Sequence, residues 1–159
     1  MTPALEQDIT AILEAGKDLT LATLRPDGGP QATTVSYASQ GLDIYFGCGR
    51  QSQKARNLAG DPRVSATIGL PYRDWGEISG LSLGGEAMEV TNPDDLAAIG
   101  LLFLGKFPEV AQYVSGSPGE MAMFRLRPQV VSVLDYRKGF GHTELARVDK
   151  ELSAAGHPS

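Results

Sequence analysis

The chain begins with a helical pattern of hydrophobic residues and continues as short strand-like segments separated by turn signals. In the first segment the apolar residues recur at the spacing of one helix face, at Leu5, Ile9, Ile12 and Leu13. Thr2 and Pro3 are typical of a helix start, and Gly16 is a natural stop. The pattern therefore predicts an amphipathic helix that covers an apolar surface.

Seven later segments have the composition and the bounding turns of strands. They span residues 19–25, 31–38, 42–46, 63–69, 78–90, 121–136 and 142–148. The turn signals at 26–29 and 39–41 join the first three segments in a predicted antiparallel meander. In the long fifth segment, Gly80, Gly84 and Gly85 predict a bulge or the close approach of another group.

Helices are few and short in the remaining pattern. One is predicted over residues 52–58 after the cap Ser52, and another from Asn92 to about Leu104. A short third helix is predicted over residues 108–114.

These elements predict a mainly β fold of the α+β type, an antiparallel barrel of six to seven strands with flanking short helices. An open α+β sheet is compatible with the same pattern. With no internal repeat and no linker, we expect a single domain over residues 1–148. The small and polar residues 149–159 predict a flexible tail.

Composition narrows the classes of function. The chain has 14 basic and 19 acidic residues, a net charge of −5, whereas a general nucleic-acid binder needs a basic face. The single cysteine, Cys48, excludes an intrachain disulfide and fits a reducing compartment. Because we find neither a signal-peptide pattern nor an apolar run of membrane-spanning length, we expect a cytoplasmic protein without membrane contact.

Several reaction types lack their motifs. The sequence has no Walker loop, no dinucleotide-binding glycine motif after a strand and no nucleophile elbow. It has only two histidines, so we expect no histidine-rich metal site.

The segment from Gly47 to Arg56 is the first candidate binding site. Its neighbourhood is basic in an otherwise acidic protein, with Arg50, Lys54, Arg56 and Arg63. Lys54 lies in the first turn of a predicted helix, where the helix dipole disfavours a cation by about 0.3–1 kcal/mol. An anion at this helix start would reverse that effect and would be held by free backbone N–H groups, the Ser52 hydroxyl and the Lys54 ammonium. A solvated helix with basic residues is the competing interpretation.

Two other stretches could contact a ligand. Residues 31–37 are small or hydroxylated, so their backbone could approach a flat polar ring, although these residues by themselves favour a plain antiparallel strand. In the stretch 139–142 the glycines permit unusual backbone angles, and Phe140 could pack on a ring. His142 is the candidate catalytic residue, since it could transfer a proton near neutral pH. A hairpin turn with a surface histidine is the alternative.

The order of these motifs resembles a known family. A helix is followed by the hairpin PDGGPQATTVSY, the strand LDIYFG, the helix SQKARNL and the strand DPRVSATI. This order is similar to that of the pyridoxamine 5′-phosphate oxidase-like flavoproteins, whose fold is the FMN-binding split barrel. The resemblance runs from about Leu5 to Val148 and is most specific between Ser52 and Ile68. It implies a homodimer with FMN at the subunit interface and a small-molecule substrate.

The resemblance also implies where the cofactor lies. The strand from Ala32 to Tyr37 would line the isoalloxazine ring through its backbone, and Gln53 and Lys54 would occupy the positions of the phosphate ligands. Cys48 would be a small residue near the phosphate-ribityl chain. The candidate cofactor-binding residues are Ala32, Thr33, Thr34, Val35, Ser36, Tyr37, Gly47, Cys48, Arg50, Ser52, Gln53 and Lys54.

The chain departs from the true oxidase at several of these positions. Ala32 and Tyr37 stand where the oxidase has arginine and lysine, and Gln53 stands where it has the arginine beside the phosphate-binding lysine. The oxidase's substrate-binding set of a tyrosine, an arginine and a serine is not found as a set in residues 101–114, and its arginine-rich C-terminal end is absent. We therefore do not expect an enzyme that makes pyridoxal phosphate. The ending LDYRKGFGHTELARV resembles relatives of which some handle haem or use a deazaflavin.

Three functions are compatible with the sequence. The first is an oxidoreductase that uses FMN, or a deazaflavin in its place, on an unknown small substrate. The second is a non-catalytic protein that binds a flavin, haem or another planar anion. The third is a haem-handling enzyme in which His142 approaches the iron.

Overall fold

A computed structural model describes residues 1–113 and 119–148 of the chain. The helices are α1 (Pro3–Ala15), α2 (Gln53–Gly60), α3 (Pro93–Lys106) and α4 (Val110–Tyr113). The strands are β1 (Asp18–Leu24), β2 (Pro30–Ser36), β3 (Ala38–Gln40), β4 (Asp43–Gly49), β5 (Arg63–Gly69), β6 (Ser79–Val90), β7 (Met121–Asp135) and β8 (Thr143–Arg147). Two single 3₁₀ turns, Trp75–Glu77 and Tyr136–Lys138, precede β6 and follow β7.

All strands belong to one antiparallel sheet that curls around a core. Their order is β2-β1-β5-β6-β7-β4-β3, and β8 pairs with β7. The fifteen residues of β7 pair with β6 along one edge, and with β4 and then β8 along the other. The predicted antiparallel split barrel is therefore confirmed, with short helices at its flanks.

Tyr37 is the corner at which the sheet curls. Its neighbour Ser36 pairs with β1, whereas Ala38 pairs with β4, so the two ends of the sheet are joined through this one residue. The Tyr37 side chain is fully buried under α1, and its hydroxyl donates a hydrogen bond to the Leu13 carbonyl at 2.7 Å. This corner divides the predicted strand 31–38 into β2 and β3, so the structure has one strand more than the sequence predicted.

Gly16 ends α1 as predicted, but for a different physical reason than a left-handed cap. Its backbone is extended, with φ −72° and ψ 148°, which any residue adopts. A Cβ at this position would overlap the Tyr37 hydroxyl, so the residue is small because the corner packs against it.

The glycines of β6 allow the long β6–β7 ladder to bend. The register shifts between Gly84 and Gly85, which face Val130 and Pro128 of β7, so one extra residue of β7 bulges out there. A Cβ at Gly85 would overlap the carbonyl oxygen of Arg127. The predicted bulge is thus present, and it depends on close backbone contact at Gly85.

The remaining elements agree closely with the sequence patterns. The predicted cap residues Thr2, Ser52 and Asn92 each accept a hydrogen bond from a first-turn amide. The predicted helix over 108–114 is the single turn α4, and its last residue, Val114, lies outside the described residues, as does the predicted tail 149–159.

We expect Gly85→Ala to lower the free energy of unfolding by about 1–3 kcal/mol, because the added methyl group must displace the backbone of β7. Gly84→Ala is the matched control, since a Cβ there meets its nearest neighbour, the Val64 carbonyl oxygen, at 3.9 Å. Urea denaturation of the two variants tests this. Equal losses of stability in both variants would contradict the assigned role of the bulge.

Candidate functional site

The candidate site begins at the first turn of α2, where Ser52 fixes the helix start. Its Oγ accepts a hydrogen bond from the Ala55 amide at 3.2 Å and donates one to the Gly49 carbonyl at 2.6 Å. Within the described residues, the backbone amides of Gln53 and Lys54 have no hydrogen-bond partner. Two N–H groups at the positive end of the helix are therefore available to an anion.

Lys54 adds a positive charge to the same first turn of α2. Its side chain is half-buried, and burial lowers the pKa of the ammonium by removing water from it. Over residues 1–113 and 119–148 no carboxylate forms an ion pair with it. A partly desolvated cation in the first turn of a helix is unfavourable by itself and would be stabilised by a bound anion.

Two of the other residues predicted to bind the cofactor, Arg50 and Gln53, already use their side chains in hydrogen bonds to protein groups. The Arg50 guanidinium bonds the Glu89 carboxylate at 3.1 Å and the Gly119 carbonyl at 3.0 Å. The Gln53 side chain bonds Asn57 and Arg56 of its own helix. Arg50 therefore fastens the β4–α2 connection to neighbouring strands, and we assign it a structural role rather than that of a ligand.

At the end of β4, the neighbouring residues Gly47 and Cys48 face opposite sides of the strand. Cys48 is buried in the main core, as expected for a small wall residue. Gly47 faces the other way, toward Met121 and Met123, and a Cβ there would have only ordinary contacts. The side chains of Met121 and Met123 therefore cover this face of β4 at Gly47.

The second part of the site is the outer edge of β2. At the two ends of the β1–β2 ladder, the Tyr37 amide donates to the Lys17 carbonyl and the Arg25 amide donates to the Gly29 carbonyl. Because hydrogen-bonded pairs alternate along an antiparallel ladder, the backbone groups of the odd-numbered residues of β2 bond to β1. The even-numbered residues direct their amides and carbonyls away from β1: Ala32, Thr34 and Ser36. No described strand pairs with this edge. Their exposed side chains are small, so a flat molecule could reach these backbone groups.

A buried polar network connects these two parts. Asn57 of α2 is only 2% exposed, and its Nδ2 donates to Thr23 Oγ1 of β1 and to Gln31 Oε1 of β2, both at 3.0 Å. Its Oδ1 accepts a hydrogen bond from Gln53 Nε2 at 2.8 Å. Asn57 is not among the site residues predicted from the sequence. The available signal was a polar residue between the core positions Ala55 and Leu58 of the helix.

Tyr37 is placed differently from the other residues of the predicted ring-lining strand. Its side chain is in the core, where burial raises the pKa of the hydroxyl, and its amide donates to the Lys17 carbonyl at 3.2 Å. It therefore shapes the corner of the sheet and has no amide to offer a ligand.

His142 lies far from the first turn of α2 in the same subunit. Gly49 pairs with Met121 at one end of β7, and Thr143 pairs with Leu134 near the other. Most of the length of β7, on the order of 40 Å, separates the two places. His142 Nε2 lies 3.3 Å from Glu144 Oε1 but is not aligned for a hydrogen bond. The candidate catalytic residue and the candidate anion site are not brought together within one chain.

At that far end, the 3₁₀ turns carry an exposed aromatic cluster that consists of Trp75, Tyr136 and Phe140. The Trp75 and Phe140 side chains are 67% and 76% exposed, and their ring centroids lie 6.3 Å apart. Tyr136 meets Phe140 edge to face at 5.1 Å. A mostly apolar groove of about 450 Å³ lies beside the cluster, with Tyr72 and Ile78 in its lining. The sequence analysis singled out Phe140 but not this surface.

Two other features, a metal-binding cluster and a membrane-spanning helix, have no candidate in the described residues. These residues contain no group of three histidine, cysteine, aspartate or glutamate side chains that could hold a metal ion. None of their helices combines the length and the hydropathy that crossing a bilayer requires.

Comparison with known proteins decides the family. The sequence model of the family described as pyridoxamine 5′-phosphate oxidase matches residues 5–135, which is most of the chain. The chain belongs to this family. No curated protein matches it significantly.

Solved structures of this oxidase family's fold are similar to the chain. A haem-binding protein from Mycobacterium smegmatis is 26% identical with a TM-score of 0.77; the match covers 92% of this chain but only 59% of that protein. A conserved hypothetical protein from Mycobacterium tuberculosis is also 26% identical, with a TM-score of 0.71 and coverage of 95% and 94%. The haem storage protein HutZ from Vibrio cholerae, 22% identical with a TM-score of 0.66, covers 78% of this chain and 89% of its own and supports the fold alone.

We expect Lys54→Met to keep or slightly raise the free energy of unfolding at pH 7, because no ion pair is lost and a partly desolvated charge is removed. Because the folded-state pKa of Lys54 is lowered, the unfolded chain binds more protons at this side chain between that pKa and 10.5, and the contribution of Lys54 to stability should rise with pH in this window. The variant should lack the rise, whereas Arg147→Met, a change at an exposed position of β8, should keep it. Denaturation at pH 7 and at alkaline pH tests this, and a large loss at pH 7 would show that Lys54 has a stabilising partner.

Proposed function

We propose that the chain binds FMN, with the phosphate at the first turn of α2 and the flavin ring along the free edge of β2, and that it acts as an oxidoreductase on a small substrate. The observation that carries the proposal is Lys54, a half-buried lysine in the same helix turn as two free amides. A phosphate dianion is the type of group that such a cradle stabilises. The fold brings the first turn of α2 and the outer edge of β2 side by side. This proximity supports the predicted placement of the anion and of the ring.

The residues that would hold the cofactor divide into two sets. Lys54 and the amides of Gln53 and Lys54 would bind the phosphate, and Ser52 would keep the helix start in place. The outward amides and carbonyls of β2 would recognise the polar edge of the ring, and Gly47, over which the Met121 and Met123 side chains pack, would lie near the chain between them. When bound, FMN supplies a ring that accepts and passes on a hydride or single electrons.

We also propose that the protein works as a homodimer with the cofactor at the subunit interface. A single chain leaves the edge of β2 without a covering element in the described residues. It also exposes the aromatic cluster and its groove, a kind of apolar surface that marks interaction sites. A second copy would bury both features, and His142 could then reach a cofactor only across the interface.

Haem binding is the second candidate function. It is favoured by the similarity to the haem-binding protein from Mycobacterium smegmatis, although this chain spans only 59% of that protein. His142, which is partly exposed and next to the aromatic cluster, is the side chain that could approach a haem iron. Titration with haem separates the two functions: a Soret shift that His142→Ala abolishes would favour haem, and an unchanged spectrum would reject it.

For the FMN proposal, we expect the wild type to bind added FMN and Lys54→Met to weaken that binding by about 1.5–3 kcal/mol, because a charge-assisted hydrogen bond is lost. Arg147→Met should bind FMN like the wild type. Quenching of flavin fluorescence gives the dissociation constants. Unchanged affinity in Lys54→Met would place the phosphate elsewhere.

For the dimer, we expect the double variant Trp75→Ser, Phe140→Ser to shift the protein from dimer to monomer, because two large apolar side chains leave the interface. Met88→Ser, at another exposed apolar residue, is the control. Sedimentation velocity measures the mass of each. A wild type that sediments as a monomer, or a double variant that remains dimeric, would contradict the assigned interface.

A further inference from the structure

We propose that Asn57 is a positioning residue: it holds the first turn of α2 at a fixed distance from the free edge of β2, so that a ligand with an anionic end and a flat ring binds both at once. The inference rests on the proposed function, because it assumes that these two places hold one ligand. It assigns the spacing between them to a single buried side chain.

The position of Asn57 is unusual for a helix of this kind. It lies between Ala55 and Leu58, which are both buried in the main core, and it is itself only 2% exposed. An apolar side chain would suit that environment and would favour the helix more than asparagine does. Packing therefore does not explain a polar residue here.

The hydrogen bonds of Asn57 connect three elements. Nδ2 uses both of its protons, one toward Thr23 of β1 and one toward Gln31 of β2, each at 3.0 Å. Oδ1 accepts from Gln53, the residue that precedes Lys54. A buried amide with its donors satisfied by fixed partners has one low-energy position, so it determines the spacing of the groups it joins.

The two ends of this network are the two parts of the site. Gln31 directly precedes Ala32, the first outward-facing residue of β2, and Gln53 lies in the turn that carries the free amides. β2 itself is held by its ladder with β1, and among the described residues the hydrogen bond from Asn57 to Gln31 is the direct side-chain link between α2 and β2. If that bond is lost, the ladder remains and each part can still bind its own fragment, but the spacing of the two parts is held less tightly and fits one molecule less well.

This arrangement has a consequence for affinity. A ligand that occupies two rigidly spaced places gains affinity over its fragments, because the second contact is made without a further loss of freedom. Loss of the spacing should reduce the affinity for FMN, which spans both places. It should not change the affinity for riboflavin, which has the same ring and no phosphate.

The test compares FMN and riboflavin binding in two variants. Gln31→Met removes the acceptor on β2 at a half-buried position, so it leaves the core intact, and Asn57→Leu removes the whole network. Gln40→Met, the same change at an exposed position of β3, is the matched control. Flavin fluorescence gives the dissociation constants, and thermal unfolding without ligand identifies any variant that fails to fold.

We expect Gln31→Met to bind FMN about tenfold more weakly than the wild type and riboflavin equally well, with Gln40→Met unchanged for both. Asn57→Leu, if folded, should show the same selective loss. An unchanged FMN affinity in Gln31→Met would overturn the inference, and so would an equal loss for FMN and riboflavin, since that would mean that the edge of β2 itself is disturbed. A wild type that binds riboflavin as tightly as FMN would instead overturn the phosphate site of the proposed function.

Discussion

The whole architecture depends on the β7 ladder, in which one strand of fifteen residues pairs with β6 on one side and with β4 and β8 in succession on the other. A ladder of that length can curl only if the backbone is allowed to bend. The shift of register at Gly84 and Gly85 provides the bend, because no side chain at Gly85 obstructs the close approach of the Arg127 carbonyl. Every other strand takes its place relative to this pair.

The curl has a direct effect on the candidate site. It brings β4, and with it the helix α2, back toward β2, and the two ends of the sheet meet at the buried corner Tyr37. The start of α2 and the outer edge of β2 thereby become neighbours although they come from different parts of the chain. Asn57 then joins them through Thr23 and Gln31. The site is a product of the closure of the sheet rather than of any local motif.

The tertiary structure also decides which charged side chains near the candidate site have a partner. Ion pairs on this protein are made mostly at the surface, such as Arg63 with Asp61 and Lys138 with Asp8. Lys54 has no such partner in the described residues, although burial makes its charged form unfavourable. An arrangement that is unfavourable for the isolated chain but favourable with an anion present is characteristic of a binding site. Arg50, by contrast, meets Glu89 and is part of the scaffold.

The sequence by itself determined the local elements, because turn chemistry, capping and hydrophobic periodicity act over a few residues. The caps Thr2, Ser52 and Asn92, the strand Arg63–Gly69 and the irregular pairing at Gly84 and Gly85 of β6 could all be predicted in this way. It also indicated the antiparallel barrel, and Lys54 as a cation in an unfavourable place. Only the tertiary structure decided which of these elements meet. Contacts between residues far apart in the chain break the predicted strand at Tyr37, pair Arg50 with protein groups and separate His142 from α2 along β7. The network around Asn57 also depends on such contacts. Such contacts form only when the whole sheet has closed, and no short stretch of sequence encodes them.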